Sequence, residues 1–339
     1  MSQAMNTAPQ HNTTLLEVRH LRTEFIHRDR TVAPVQDVSL TLQRGQIMGL
    51  VGESGSGKSM TAYSLMGLLD PPGQVVSGAA WFSETDGTRV DLLKLATPAL
   101  RQLRGNRIAM IFQDPMLTLN PVLRIDTQMI ETLQAHQAIS KSDARNKARA
   151  ALVKVGIAAP DERLNAYPHE LSGGMRQRIA IAIALLNDPD LIIADEPTTA
   201  LDVSIAAQIL FEIQTLCQQL GTTLLWITHD LSVVAQLADT VAVMYAGKIV
   251  ESGTTAQVLH HPRHPYTAGL LQSIPFIHQR ARLQAIPGQP PRLDDLPPGC
   301  AFAPRCSYAQ ADCATPPALQ SDVHGQAVRC LHPLIGAQP

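Results

Sequence analysis

Several features that mark a protein class are scarce in this sequence. Neither charge dominates: 27 Lys and Arg stand against 29 Asp and Glu, a formal net charge of −2. A nucleic-acid domain carries a basic excess or a basic face, so general polyanion binding is excluded. Aromatics are only 4% of residues, too few for base-stacking platforms. Long apolar runs are missing as well. A bilayer-spanning helix needs about 20 mostly apolar residues. The densest run, Ile179–Leu186, is followed at once by Asn187-Asp188-Pro189-Asp190. Met1 to Thr14 holds no Lys or Arg and no apolar stretch, so it reads as a flexible tail and not as a signal peptide. A cytosolic protein is the expectation. Cysteine is nearly absent before position 300, with Cys217 alone, and then Cys300, Cys306, Cys313 and Cys330 crowd the end. Such a cluster in a cytosolic chain points away from disulfides and toward metal or cluster binding.

What is present is ample apolar material, 45% of 339 residues, enough for a packed core. The length suits about two domains, or one large domain with an appendage. Strand patterns fall at Leu15–Glu24, Val35–Leu42, Ile47–Val51, Leu191–Ala194 and Thr223–Ile227. Val241–Met244 and Lys248–Val250 read as a hairpin. Helical patterns fall at Met60–Leu69, Arg145–Val155, Arg178–Asn187 and Ala206–Leu220. Strands alternating with helices predict an α/β core around a largely parallel sheet. Prolines concentrate from Pro262 onward, which places a domain boundary near residue 262.

Two motifs carry chemistry. Gly52-Glu53-Ser54-Gly55-Ser56-Gly57-Lys58-Ser59 follows a buried strand and precedes a helix, the context of a phosphate-binding P-loop. Its glycines let backbone N–H groups turn toward phosphate oxygens, and the helix start adds partial positive charge. Lys58 is expected on the β- and γ-phosphates, with Met60 just beyond the loop, and Ser59 on Mg²⁺. The second motif is the apolar strand Leu191-Ile192-Ile193-Ala194 ending in Asp195-Glu196. Asp195 can hold Mg²⁺, and Glu196 can polarise a water in line with the γ-phosphate.

Leu171-Ser172-Gly173-Gly174-Met175-Arg176-Gln177 precedes a helix and resembles the signature motif of ABC-type ATPases. Ser172 with two glycines at a helix start forms a second anion site, and one subunit has no need of two for one nucleotide. In that family the motif, here Ser172, Gly173 and Gly174, reaches across a dimer to the ATP on the other subunit. Further segments match the family in order. Phe112-Gln113-Asp114-Pro115 resembles the Q-loop, implying a role for Gln113 at Mg²⁺ or the water. Ala200-Leu201-Asp202 resembles the D-loop, and Thr228-His229-Asp230 the switch histidine. Phe25 sits where the family has an adenine-stacking aromatic. The resemblance implies an α/β P-loop NTPase: a RecA-like core with an antiparallel β subdomain and a helical ABC subdomain over about residues 100–165. The ATPase domain would run over 15–261, and a small irregular extension over 262–339.

A narrower resemblance comes from His261-Pro262-Arg263-His264-Pro265-Tyr266-Thr267, from Pro168-His169-Glu170 and from Leu119-Asn120-Pro121. These are similar to the D-type ATPase subunits of dipeptide and oligopeptide importers. That implies two permease subunits, a second ATPase chain of the F type, an indirect link to a solute-binding protein, and a place on the cytoplasmic face of the inner membrane. The cysteine spacing, Cys300-x5-Cys306-x6-Cys313-x16-Cys330, suits zinc or an iron–sulfur cluster and does not choose between them. The resemblance implies a [4Fe–4S] cluster. Rival readings are a soluble ABC ATPase acting on DNA or ribosomes, and a redox-sensing ATPase. The first lacks the coiled coils, fused ATPase pairs and basic regions it requires.

Overall fold

The computed structural model describes residues 14–84, 86–199, 201–273 and 285–334. The tail expected over 1–14 lies, except for Thr14, outside the described residues, as does Ala200.

The chain opens with two long antiparallel strands, β1 (Thr14–Ile26) and β2 (Thr31–Gln43). β3 (Ile47–Val51) follows, buried at every residue, and leads into α1 (Lys58–Met66). α1 stops earlier than the apolar pattern predicts because Gly67 adopts φ 58° and its N–H turns back to Ser64. Then come β4 (Gly73–Ser83), β5 (Arg89–Asp91), α2 (Thr97–Leu103) and β6 (Ile108–Ile111). The middle of the chain is helical: α3 (Ile125–Gln134), α4 (Lys141–Lys154), α5 (Pro160–Asn165) and α6 (Gly173–Leu185). β7 (Leu191–Asp195), α7 (Val203–Leu220), β8 (Thr223–Thr228), α8 (Leu231–Leu237), β9 (Thr240–Tyr245) and β10 (Lys248–Thr254) complete the cassette. After α9 (Thr255–His260) and α10 (Pro265–Gln272), regular strand among the described residues returns only in the short β11 (Gln320–Ser321) and β12 (Ala327–Val328).

The main sheet order is β5-β4-β1-β2-β10-β9-β3-β8-β7-β6. β9, β3, β8, β7 and β6 run parallel, and β1, β2, β4 and β5 form an antiparallel wing. This is the α/β expectation, with one refinement: the mostly helical span 100–165 contains β6, which pairs with β7 inside the core sheet. One apolar cluster lies between the parallel strands, α1 and the antiparallel wing, around Leu50, Leu65, Phe82 and Ile227. The opposite face packs Val51, Trp226, Ile179 and Leu152 against α3, α4, α6 and α7. α4 buries Ala144, Ala148 and Leu152, while Val153 points outward at 53% exposure. The extension joins this second cluster through Phe302, and β12 pairs with β10.

Candidate nucleotide site and cysteine cavity

Parallel strands that lie side by side bring their carboxyl ends to one edge. β3, β8, β7 and β6 therefore deliver the Gly52–Ser59 loop, His229, Asp195-Glu196 and Gln113 to the same end of the sheet.

The loop is shaped by its glycines. Gly52 and Gly57 have φ of 155° and 105°, and a Cβ there would lie 2.1 Å from Met244 O and 2.0 Å from Pro34 O. No other residue fits either position. Ser54 and Gly55 are exposed at the loop tip. Ser56 is 4% exposed, and its Oγ has no hydrogen-bond partner among the described residues. Lys58, 4% exposed, donates from Nζ to Gly52 O at 2.8 Å and to Glu53 O at 3.1 Å. Burial lowers its pKa, opposed by the charges of Glu196, Asp195 and Glu53. Met60 is partly buried and packs on the apolar cluster beside α1.

Ser59 Oγ donates to Asp195 Oδ1 at 2.9 Å, which brings the two expected Mg²⁺ ligands together. Asp195 is 1% exposed, and burial pushes its carboxyl above the ordinary range despite that hydrogen bond. A hydroxyl and a buried carboxylate, both beside a lysine-bearing loop, are the oxygen donors that Mg²⁺ takes. Glu196 has φ 44°, a left-handed conformation that is costly for a residue with a Cβ. Its N–H donates to Ile227 O at 2.9 Å. Its Oε2 accepts from Thr199 Oγ1 at 3.0 Å and meets His229 Nδ1 at 3.3 Å. Thr199 was not anticipated from sequence; a hydroxyl following Glu-Pro by two positions is the signal that was there to read.

The remaining expected residues stand apart. Gln113 is exposed just past β6 and makes no hydrogen bond among the described residues. Phe25, one residue before the end of β1, lies opposite Gly73, and its ring covers that glycine, where a Cβ would come within 2.8 Å. Ser172 caps α6 by accepting from Met175 N at 3.3 Å. Ser172 and Gly173 are exposed, and Gly174 lies against Ile205 of α7. No hydrogen bond links this helix start to the Gly52–Ser59 loop of its own chain among the described residues. Asp202 begins α7 without a side-chain cap.

The four late cysteines line one small cavity together with Phe302 and His264. Burial raises the thiol pKa of Cys300 and Cys306 and pushes Cys330 up to about 11. Nearby cysteines raise each of these three further. Four half-buried thiols around one small cavity are a donor set that suits a cationic group among them. The ligand atoms that do converge within 4.8 Å are those of Asp312, Cys313 and His332, not three thiols. A tetrahedral Cys₄ zinc site would hold its sulfurs about 3.8 Å apart, given Zn–S bonds of about 2.3 Å. Cys217 is separate, buried on α7 with its thiol pushed up to about 12.

Comparison with known proteins agrees with this geometry. A family model described as ABC transporter matches residues 35–199, and one described as oligopeptide/dipeptide transporter, C-terminal region, matches residues 250–313. The oligopeptide transport ATP-binding protein OppD of Salmonella typhimurium is 44% identical over 335 residues, covering 98% of each chain. The oligopeptide transport ATP-binding protein AppD of Bacillus subtilis is 46% identical, covering 94% of this chain and 96% of that one. The dimeric structure of MJ0796, a bacterial ABC transporter cassette, superposes with a TM-score of 0.63 at 25% identity, over 71% of this chain and 99% of that one. The chain belongs to the ABC transporter ATP-binding proteins of the oligopeptide/dipeptide family.

Proposed function

We propose that the protein binds and hydrolyses ATP to power import of peptides or related small solutes. The observation that carries this reading is one constellation at one sheet edge: the Gly52–Ser59 loop, the Ser59–Asp195 pair, and Glu196 held by Thr199 and His229. The relatives named for oligopeptide transport support the solute class.

In the proposed reaction the Gly52–Gly57 backbone and Lys58 receive the phosphates, while Ser59 and Asp195 hold Mg²⁺. Bound Mg²⁺ offsets charge on the β- and γ-phosphates. Glu196 accepts a proton from the attacking water as the new O–P bond forms and the bond to the ADP oxygen breaks. His229 fixes the Glu196 carboxylate and would meet the γ-phosphate, and Gln113, just past β6, would contact the metal or the water. Phe25 offers its ring to adenine. Ser172, Gly173, Gly174 and Asp202 serve the nucleotide of a second subunit, which their separation from the chain's own loop supports.

The second subunit is a different, F-type ATPase, and the pair docks on two permease subunits fed by a solute-binding protein. No helix among the described residues is long and apolar enough to cross a membrane. Association with permeases therefore carries the protein to the cytoplasmic face of the inner membrane. The cassette occupies 15–261 and the extension 262–339, with Cys300, Cys306, Cys313 and Cys330 holding a [4Fe–4S] cluster. Such a cluster supplies cross-links to a segment that has little apolar burial of its own.

Glu196→Gln tests the chemistry: hydrolysis falls about 10²–10⁴-fold while ATP binding persists. Near-normal turnover in that variant would place the base elsewhere. Co-purification with permease and solute-binding subunits, followed by peptide-stimulated ATPase assays, tests the transport reading. Stimulation by no peptide would remove the solute class.

A further inference from the structure

A phosphate cradle is an unfavourable place for a carboxylate, yet Glu53 is the second residue of this one. The structure engages every polar group of Glu53. Its N–H donates to Tyr266 Oη at 2.9 Å. Its C=O accepts from Ser56 N at 3.2 Å and Lys58 Nζ at 3.1 Å. Its carboxylate takes both arms of Arg305, Nη1 to Oε2 at 2.7 Å and Nη2 to Oε1 at 3.0 Å. Arg305 lies 252 residues away in sequence, beside Cys306, and Tyr266 lies 213 residues away on α10.

Arg305 is itself fixed. It is 7% exposed, donates from Nε to Pro287 O at 2.9 Å, and donates from Nη1 to Tyr245 Oη at 3.2 Å. The guanidinium sits 5.8 Å from the Tyr245 ring centre and 5.9 Å from that of Phe302. Tyr245, Tyr266 and Phe302 form a collar with ring centres 4.5 to 5.3 Å apart. Tyr245 and Phe302 thus hold this arginine, with Tyr266 packed against both. Exposed ion pairs contribute little, but a two-armed Arg–carboxylate pair whose guanidinium is buried on a rigid support is strong and directional. The Glu53 charge also reaches Lys58, the residue that must meet phosphate.

We propose that Arg305 is a positioning residue for the phosphate loop: from the C-terminal extension it neutralises Glu53 and holds the loop's first turn in the shape that receives the triphosphate. The proposal rests on the reading of Gly52–Ser59 as the ATP site, and it holds whatever group the cysteines bind.

The test uses full-length protein, a fluorescent ATP analogue for affinity, and steady-state hydrolysis for KM and kcat. Arg305→Ala is expected to raise Kd and KM for ATP about tenfold with a smaller change in kcat, because an unpaired carboxylate is left at the loop. Adding Glu53→Gln to Arg305→Ala removes that charge and is expected to recover affinity to within about threefold of the unaltered protein. A purely structural arginine would not be rescued this way. Arg305→Lys, which keeps charge but loses the fork, is expected to fall between the two. Affinity within about twofold of the unaltered protein in both Arg305 variants, or no recovery on adding Glu53→Gln, would overturn the proposal. Lys58→Ala serves as the reference. If it binds nucleotide normally, the ATP-site reading falls and takes the proposal with it. If it loses binding while the Arg305 variants do not, the proposal alone falls.

Discussion

β3, β7 and β8 are buried at every residue, and the helices on the two faces add Leu65 to one core cluster and Ile179 and Ile209 to the other. Residues 285–334 present a different picture. Their buried side chains are Phe302, Ala327 and Val328 on the apolar side, and Arg305, Gln326 and Arg329 on the polar side. The polar three each reach the cassette: Arg305 binds Glu53, Gln326 donates to Glu251 Oε1 at 2.8 Å, and Arg329 donates to Asp37 Oδ2 at 2.8 Å. The cassette is held by area removed from water, whereas residues 285–334 combine a few directed bonds to it with the packing of Phe302, Ile286, Leu293 and Leu296 on its core. A region built the second way can be adjusted by one ligand or one charge, whereas a region built the first way responds mainly to volume.

Leu50→Ala, at a fully buried site in the central strand, should cost about 2–5 kcal/mol of global stability in urea unfolding. An equal cost from any single polar tie of the extension would erase the distinction. On the proposal that the four cysteines hold a cluster, Cys300→Ser with Cys330→Ser should abolish iron and acid-labile sulfide in anaerobically purified protein and open residues 285–334 to protease. The cassette unfolding midpoint should move by no more than about 1 kcal/mol. Stoichiometric zinc in the unaltered protein would change the metal but not the comparison. Thr254→Ala should cost about 1 kcal/mol, because Thr254 caps α9 in a two-way box with Gln257, where cassette passes into extension. The smallest effect is acid-induced. Burial raises the Asp37 pKa, but hydrogen bonds from His20 and Arg329 outweigh it, and the net shift is downward. Lys248 also neighbours the pair. A lowered carboxylate pKa contributes stability that is complete above the unfolded value, about 3.9, and fades as pH falls through the folded value. Proteolysis at the seam should therefore rise below about pH 4, and Asp37→Asn should flatten that rise.

Local signals made the nucleotide site legible. Gly52–Ser59 and Leu191–Glu196 are continuous segments whose spacing encodes their geometry, and the order of strands was enough to bring His229 beside Glu196. The proline-rich composition after residue 262 is the sequence signal behind the proposed extension, although α10 (Pro265–Gln272) still follows it as regular helix. The seam itself was invisible. Glu53 meets Arg305 across 252 residues, and no periodicity or turn chemistry encodes that meeting. Glu251 is wholly buried and accepts from the N–H groups of Arg263 and His264, yet by sequence it is one more acidic residue in a strand. β6 was missed because four residues inside a helical span are too few to show a period of two.

β10 leaves β2 after a single pairing, Lys248 with Asp37, and β12 takes up the ladder at Glu251 and Ser252. A cassette cut off at the change in composition would lose that partner and bare a strand edge whose backbone groups can template another chain. The two residues Ala327 and Val328 thus act as a stopper: they keep the interior of the sheet from becoming a growth point for aggregates.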